Sequence, residues 1–306
     1  MLIVGNKTLE VAKDFSEEIL NNIRKSLEED FKEDFCIVSV GSFARKEASE
    51  SSDLDYFILT EDGAFVSIEE CQKINEIIQG GVEKSCGDTG TFEQCIKINE
   101  LTTNLGGVKD TNQKLIRRIL FLLEGCCLYG KDNFTNFRKQ LLKEYIKETV
   151  SKHKLSQFLL NDIIRFYRTM ATDFEYKISE EGKEANIRNI KLIFSRKLLY
   201  FSGLIVIAET IQENRAGKIT RTLALLEKPP LERIEYIFGD KAVEVLALYD
   251  YFLEEISTAD KRKDIELKDD KFRELKDKSQ EFSKELLSML KEHYGDDHPI
   301  HCALIF

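Results

Sequence analysis

An α+β chain, with a small sheet-bearing N-terminal part followed by an all-helical part, is predicted by three features of the sequence. Two short β-prone runs lie close together before residue 60, helical periodicity dominates from about residue 112, and there are only 3 prolines in 306 residues. Charged residues at 33% over a hydrophobic content of 42% suit long amphipathic helices better than a loop-rich all-β fold. The expected division is residues 1–110 for the α/β part and 111–306 for the helical part.

The elements follow from spacing. Leu9, Val11, Phe15, Ile19, Leu20, Ile23 and Leu27 recur at helical intervals and predict an amphipathic helix over 8–31. The run Phe35-Cys36-Ile37-Val38-Ser39-Val40 is a short strand that stops at Gly41-Ser42, and a second strand begins at Leu54 and runs through Leu59. A helix is expected over 68–79, then a segment over 86–107 dotted with glycines and holding a third strand over 91–98. Helices are predicted at 112–125, 134–149, 155–177, 188–212, 217–226, 230–257 and 266–293, with breaks near Gly125, Gly130, Gly182, Gly217, Pro229-Pro230 and Gly295.

Charge and cysteine content narrow the classes of function. A net charge of −10 argues against a protein that coats nucleic acid, because neutralising phosphates takes a surplus of Lys and Arg. The 7 cysteines are odd in number and form no CxxC pair, so neither a zinc knuckle nor a disulfide framework is expected. Reduced cysteines in a cytoplasmic protein are the simple reading. No signal peptide is expected, and the apolar run over 198–208 is too short to span a bilayer, so it is read as part of a buried helix without membrane insertion.

The chemistry concentrates between residues 40 and 55. A strand delivers the chain to Gly41-Ser42 at the start of a short helix, where a glycine permits close backbone approach and the Ser42 hydroxyl and local amides suit a phosphate. The next strand presents Asp53 and Asp55, and period-2 alternation puts both carboxylates on one face. Two adjacent carboxylates beside a phosphate repel it unless a hard cation lies between them. Mg²⁺ (or Mn²⁺), which takes oxygen ligands shared between carboxylates and phosphates, fits that need.

Gly41-Ser42, ten residues, and Asp53-Leu54-Asp55 between strands resemble the signature of the DNA polymerase β-like nucleotidyltransferase superfamily. The likeness covers mainly residues 35–60, and the glycine-dotted segment and long helical tail look most like the uridylyltransferase-like bacterial branch. It implies a small mixed-sheet nucleotidyltransferase domain followed by an all-helical domain. It also implies that Gly41 and Ser42 contact the triphosphate of a nucleotide such as ATP and that Asp53 and Asp55 ligate Mg²⁺. The implied reaction moves an NMP from an NTP to an acceptor hydroxyl with release of pyrophosphate, among other settings in antiphage signalling. Active relatives place a third acidic residue on a later strand to help deprotonate the acceptor; Glu93 is the first candidate, with Asp88, Glu100 and Asp110 behind it.

Other polar sets stand against plain surface readings. On a regular helix Arg188, Lys191 and Arg196 fall within an arc of roughly 140°, suited to clamping a triphosphate; Lys191 and Arg196 are the stronger pair. Asn161, Asp162, Arg165 and Arg168 share a side within roughly 120°, and Arg117-Arg118 is a weaker basic pair. Phe166, Tyr167 and Tyr176 are base-stacking candidates whose helical spacing equally suits core. His293, His298, His301 and Cys302 are metal-ligand types at no zinc spacing. The apolar residues 303–306 are expected to dock on this chain or on a partner, homo-oligomer included. The acceptor stays open between nucleotide, protein and RNA. Rival readings are a non-catalytic nucleotide-sensing module and an assembly subunit.

Overall fold

The computed structural model describes residues 5–32, 34–82, 95–180 and 184–304. The chain divides into two compact units, one of Val11–Tyr145 and one of Met1–Glu10 with Ile146–Phe306. Their element order is α+β, as expected: every described strand lies in the first unit.

That unit runs α1 (Lys7–Asp30), β1 (Phe35–Val40), α2 (Gly41–Ala44), β2 (Asp55–Thr60), α3 (Ile68–Gly80), β3 (Cys95–Lys97), α4 (Ile98–Thr102), α5 (Asn112–Leu123), β4 (Cys126–Tyr129) and α6 (Lys131–Tyr145). The strands form one sheet in the order β3-β2-β1-β4. β1 is antiparallel to β2 and to β4, while β2 and β3 are parallel, so the sheet is mixed.

Alternation along β1 and β2 sorts the core into two layers. Phe35, Ile37, Tyr56 and Ile58 meet Leu20, Ile23 and Leu27 of α1 and Ile74 and Ile78 of α3. Phe57 points the other way, edge-on to Phe121 of α5, which in turn meets Phe134 of α6. Each such side chain, once buried, contributes roughly 1.5–3 kcal/mol. Ser67 caps α3 through a reciprocal box: it accepts from the Glu70 amide at 3.1 Å, and Glu70 accepts from the Ser67 amide at 2.7 Å. Val11, placed by spacing on the apolar side of α1, is instead largely exposed.

The segment around β4, read from sequence as the beginning of the helical half, belongs to the sheet. β4 is only four residues between Gly125 and Gly130, too short to announce itself, and its identity comes from pairing with β1. Gly130 sits at φ +71°, and a Cβ there would fall 2.0 Å from the Phe35 carbonyl oxygen, so only glycine lets β4 turn into α6 this close to β1. The third strand is described over Cys95–Lys97, and Ile98 already begins α4; residues 91–94 lie outside the described residues.

Two buried arginines tie the helices behind the sheet. Arg118 of α5 donates to both Asp110 carboxylate oxygens, at 2.9 and 3.1 Å, and to the Tyr145 hydroxyl. Arg138 of α6 donates to the Phe121 and Leu122 carbonyls at the end of α5, which a helix leaves unsatisfied.

The second unit is helical: α7 (Gln157–Ser179), α8 (Ala185–Lys191), a π-helical turn (Leu192–Arg196), α9 (Lys197–Glu209), α10 (Arg215–Leu226), α11 (Pro230–Phe238), α12 (Val243–Glu255), α13 (Ala259–Leu267), α14 (Asp269–Tyr294) and α15 (Pro299–Ala303). α9 carries the apolar run, and nearly all of it is buried. No described helix is long and apolar enough to cross a membrane. Fully buried Arg233 donates to the Leu225 and Lys228 carbonyls and to Ser202 Oγ, and Lys218 Nζ to the Thr210 and Ile211 carbonyls. The single helix expected over 188–212 is continuous over 185–209 but holds a π turn, where Tyr249 donates to Ser195 Oγ at 3.1 Å and Phe194 stacks on Phe252 at 4.6 Å.

Replacing Asp110 with Ala strands the Arg118 guanidinium without its carboxylate in the interior. A loss of about 3–5 kcal/mol is expected, read as a lowered urea midpoint by circular dichroism.

Candidate active site

The register of β1 and β2 builds the site. Val40 pairs with Asp55, so the residue that follows β1, Gly41, arrives beside the first residue of β2. Gly41 has φ +78°, and a Cβ on it would lie 3.1 Å from Asp55 Oδ2. The open space left by glycine therefore adjoins the carboxylate. Asp53 and Asp55 flank fully buried Leu54, and both are half-buried. Asp55 begins β2, and Asp53 lies two residues before it.

The turn between the strands is closed by its own backbone. Arg45 N–H returns to the Gly41 carbonyl at 3.1 Å, Lys46 N–H to Phe43 at 3.1 Å and Glu47 N–H to Ser42 at 2.9 Å. Lys46 holds the left-handed conformation at φ 64°, the pattern that ends a helix in a Schellman turn. Further on, the Ala48 amide donates to Ser16 Oγ of α1 at 3.1 Å, and Ser49 and Ser52 close a turn in which Ser49 N–H reaches Ser52 Oγ at 3.0 Å. The chain thus enters Asp53 from a fixed turn.

One partner of this turn escaped sequence reasoning. Glu124, at the C-terminal cap of α5, accepts from the Gly41 amide at 2.9 Å through Oε1 and from Arg45 at 2.7 Å through Oε2. Arg45 Nε also reaches Glu47 at 2.8 Å, and all three side chains are buried. The Gly41 amide, expected to face a phosphate, is thereby engaged within the protein; Ser42, half-buried, is the polar group left at that position. A contact spanning 83 residues has no local signature, and Glu124 in Leu123-Glu124-Gly125 reads as an ordinary helix end.

The other candidates separate. Glu93 and Asp88 lie outside the described residues. Asp110 is committed to Arg118 and to the Gly106 amide at 2.8 Å, and exposed Glu100 caps α4 by accepting from the Lys97 amide at 3.3 Å. Lys191 and Arg196 belong to the helical unit, where the π turn between them displaces the regular 100° step, so the arc calculated for an unbroken helix does not hold. Arg165 pairs with Asp162 at 3.6 Å. Phe166 is core, and Tyr167 stacks on Tyr200 at 5.1 Å.

The C-terminal histidines have structural work. His298 Nδ1 accepts from the Ile300 amide at 3.2 Å, and His293 lies 3.4 Å from Glu209, which also accepts from Tyr294 and Arg221. Burial pushes the Cys127 thiol up to about 11 and that of Cys36 well above its usual range, so neither is a ready thiolate nucleophile at neutral pH.

Among the described residues no set of three or more His, Cys, Asp or Glu side chains is placed to hold a metal. Two half-buried carboxylates two residues apart, with the glycine gap beside Asp55 Oδ2, still fit a divalent ion that shares its shell with phosphate and water.

With that geometry in place, residues 20–104 match the family model of the nucleotidyltransferase domain. This part of the chain is a nucleotidyltransferase domain, and the protein is a nucleotidyltransferase enzyme. The match is consistent with the polymerase β-like superfamily and spans β1, α2, β2, α3, β3 and α4. No curated protein shows a significant match to the chain.

Gly41→Ala places a methyl group against Asp55 in a left-handed backbone. It is expected to cost about 1–2 kcal/mol of stability and to lower nucleotidyl transfer by about tenfold or more through displacement of the carboxylate. Thermal unfolding and a labelled-nucleotide assay would read the two effects.

Proposed function

We propose that this enzyme transfers a nucleoside monophosphate from an NTP to an acceptor hydroxyl in a divalent-metal-dependent reaction, with Asp53 and Asp55 as the metal-holding pair. The observation that carries this reading is the placement of Asp55 Oδ2 against the glycine gap at the start of α2. When bound, Mg²⁺ or Mn²⁺ would supply charge neutralisation at the triphosphate and lower the pKa of the attacking hydroxyl. Asp55, at the start of β2, and Asp53, two residues before it, orient that charge. Ser42 offers its hydroxyl to a phosphate oxygen. The acceptor oxygen forms a bond to the α-phosphorus, the bond to pyrophosphate breaks, and the acceptor proton passes to a carboxylate, for which Glu93 is the candidate.

The proposed acceptor is a small nucleotide, giving an oligonucleotide or signalling nucleotide as product. The net charge of −10 supports that choice over bulk tRNA, which an acidic surface repels. A cytoplasmic setting and a role in antiphage defence belong to this reading through the resemblance to signalling members of the superfamily. Leu304, half-buried at the end of the described chain, is compatible with the apolar tail docking on this chain or on a second copy.

Incubation with each labelled NTP and Mg²⁺ or Mn²⁺ is expected to yield pyrophosphate and a labelled product. Asp53→Asn and Asp55→Asn are each expected to lower the rate by at least about 100-fold while the fold is retained. Label in protein or added RNA would reassign the acceptor. Equal turnover by wild type and both variants would overturn the metal-holding role.

A further inference from the structure

We infer that Glu124 is a positioning residue for nucleotidyl transfer, its carboxylate holding the start of α2 against Asp55 by bridging the Gly41 amide and the Arg45 guanidinium. The inference rests on the reading of Asp53 and Asp55 as the metal-holding pair. It adds a residue from outside the matched segment of 20–104.

α2 closes its C-terminal end through its own backbone, but its N-terminal end needs an outside partner. It is one turn long, and a helix that short closes too few hydrogen bonds to offset the ordering of its backbone. Its first amide, that of Gly41, has no partner within the helix and takes Glu124 Oε1 at 2.9 Å. Its last residues are held by Arg45, the C-cap, whose guanidinium takes Glu124 Oε2 at 2.7 Å. One carboxylate therefore grips both ends of the turn that carries Gly41 and Ser42. These are charge-assisted bonds in a site closed to water, the setting in which such bonds are strongest.

The grip is firm only if Glu124 is itself fixed, and three features fix it. Glu124 N–H and Gly125 N–H both return to the Leu120 carbonyl, at 3.0 and 2.9 Å. A Cβ at Gly125 would meet the Phe121 carbonyl at 2.5 Å, so the chain leaves α5 through a passage only glycine fits. Arg138 secures the last carbonyls of α5 from α6. Rigidity thus passes from α6 to α5, to Glu124, to α2, and ends 3.1 Å from Asp55 at the position a Gly41 side chain would occupy.

Glu124→Gln keeps the shape and one acceptor oxygen but cannot serve Gly41 and Arg45 together. Two readouts test it in the full-length protein, beside wild type and a core control, Ile74→Val, on the opposite face of the sheet. The first is amide exchange at Gly41, expected to lose protection in Glu124→Gln alone. The second is the Mn²⁺ concentration for half-maximal transfer, expected to rise by about 10- to 100-fold in Glu124→Gln and to stay put in Ile74→Val. Lost folded protein lowers the amplitude of transfer but does not move that concentration. Should Glu124→Gln fail to fold, Arg45→Lys, which keeps the charge but not the fork, is expected to move the half-saturation the same way. Wild-type half-saturation and wild-type Gly41 protection in a folded variant would overturn the inference alone. Absence of divalent-dependent transfer in wild type would take down the Asp53/Asp55 reading and this inference with it.

Discussion

The antiparallel register of β1 on β2 is the constraint from which the site follows. Because Val40 pairs with Asp55, the chain leaving β1 must cross the beginning of β2, and whatever occupies position 41 lies against a carboxylate. A slip of one residue would turn Asp53 and Asp55 toward the α1 and α3 layer and bring Tyr56 and Ile58 out of it. The hydrophobic alternation that buries Phe35, Ile37, Tyr56 and Ile58 on one side is therefore also what fixes the carboxylates on the other. Core packing and the placement of Asp55 beside Gly41 are two results of one pairing.

Glycine enters this geometry twice for different reasons. At position 41 the absent side chain leaves room beside Asp55 Oδ2, and at position 130 it lets the backbone pass close to the Phe35 carbonyl. The first gap adjoins a candidate carboxylate, and the second lets β4 complete the sheet edge. Between them stands α5, whose C-terminal end faces α2 through Glu124. The layer that looks like mere support behind the sheet thus reaches directly into the site.

The sequence was most readable where its signals are local. Asp53 and Asp55 two residues apart, Gly41-Ser42 after a strand and the amphipathic spacing of α1 all express short-range geometry, and the motif lies within the segment that matches the nucleotidyltransferase domain. What escaped depends on tertiary contacts. β4 is four residues whose strand character comes from its partner, and Glu124 meets Gly41 across 83 positions. The π turn at Leu192–Arg196 interrupts a stretch with uniform helical periodicity and is fixed by ring packing from α12, which no local pattern encodes. The amide of Gly41 illustrates the difference well. Sequence logic offers it to a phosphate, and the fold assigns it to a carboxylate.

The buried cations alter how the molecule meets solvent. Among the described residues Arg45, Arg117, Arg118, Arg138, Lys218 and Arg233 are interior, against Glu47, Asp110, Glu124 and Asp162. Interior positive charges outnumber negative ones, so the non-buried part of the described residues carries a more negative balance than those residues carry in total. A polyanionic reactant approaches through a field of its own sign, which reaches about 30 Å in dilute buffer and about 8 Å at physiological ionic strength. The counterion atmosphere, rather than long-range attraction, then governs how often such a reactant arrives.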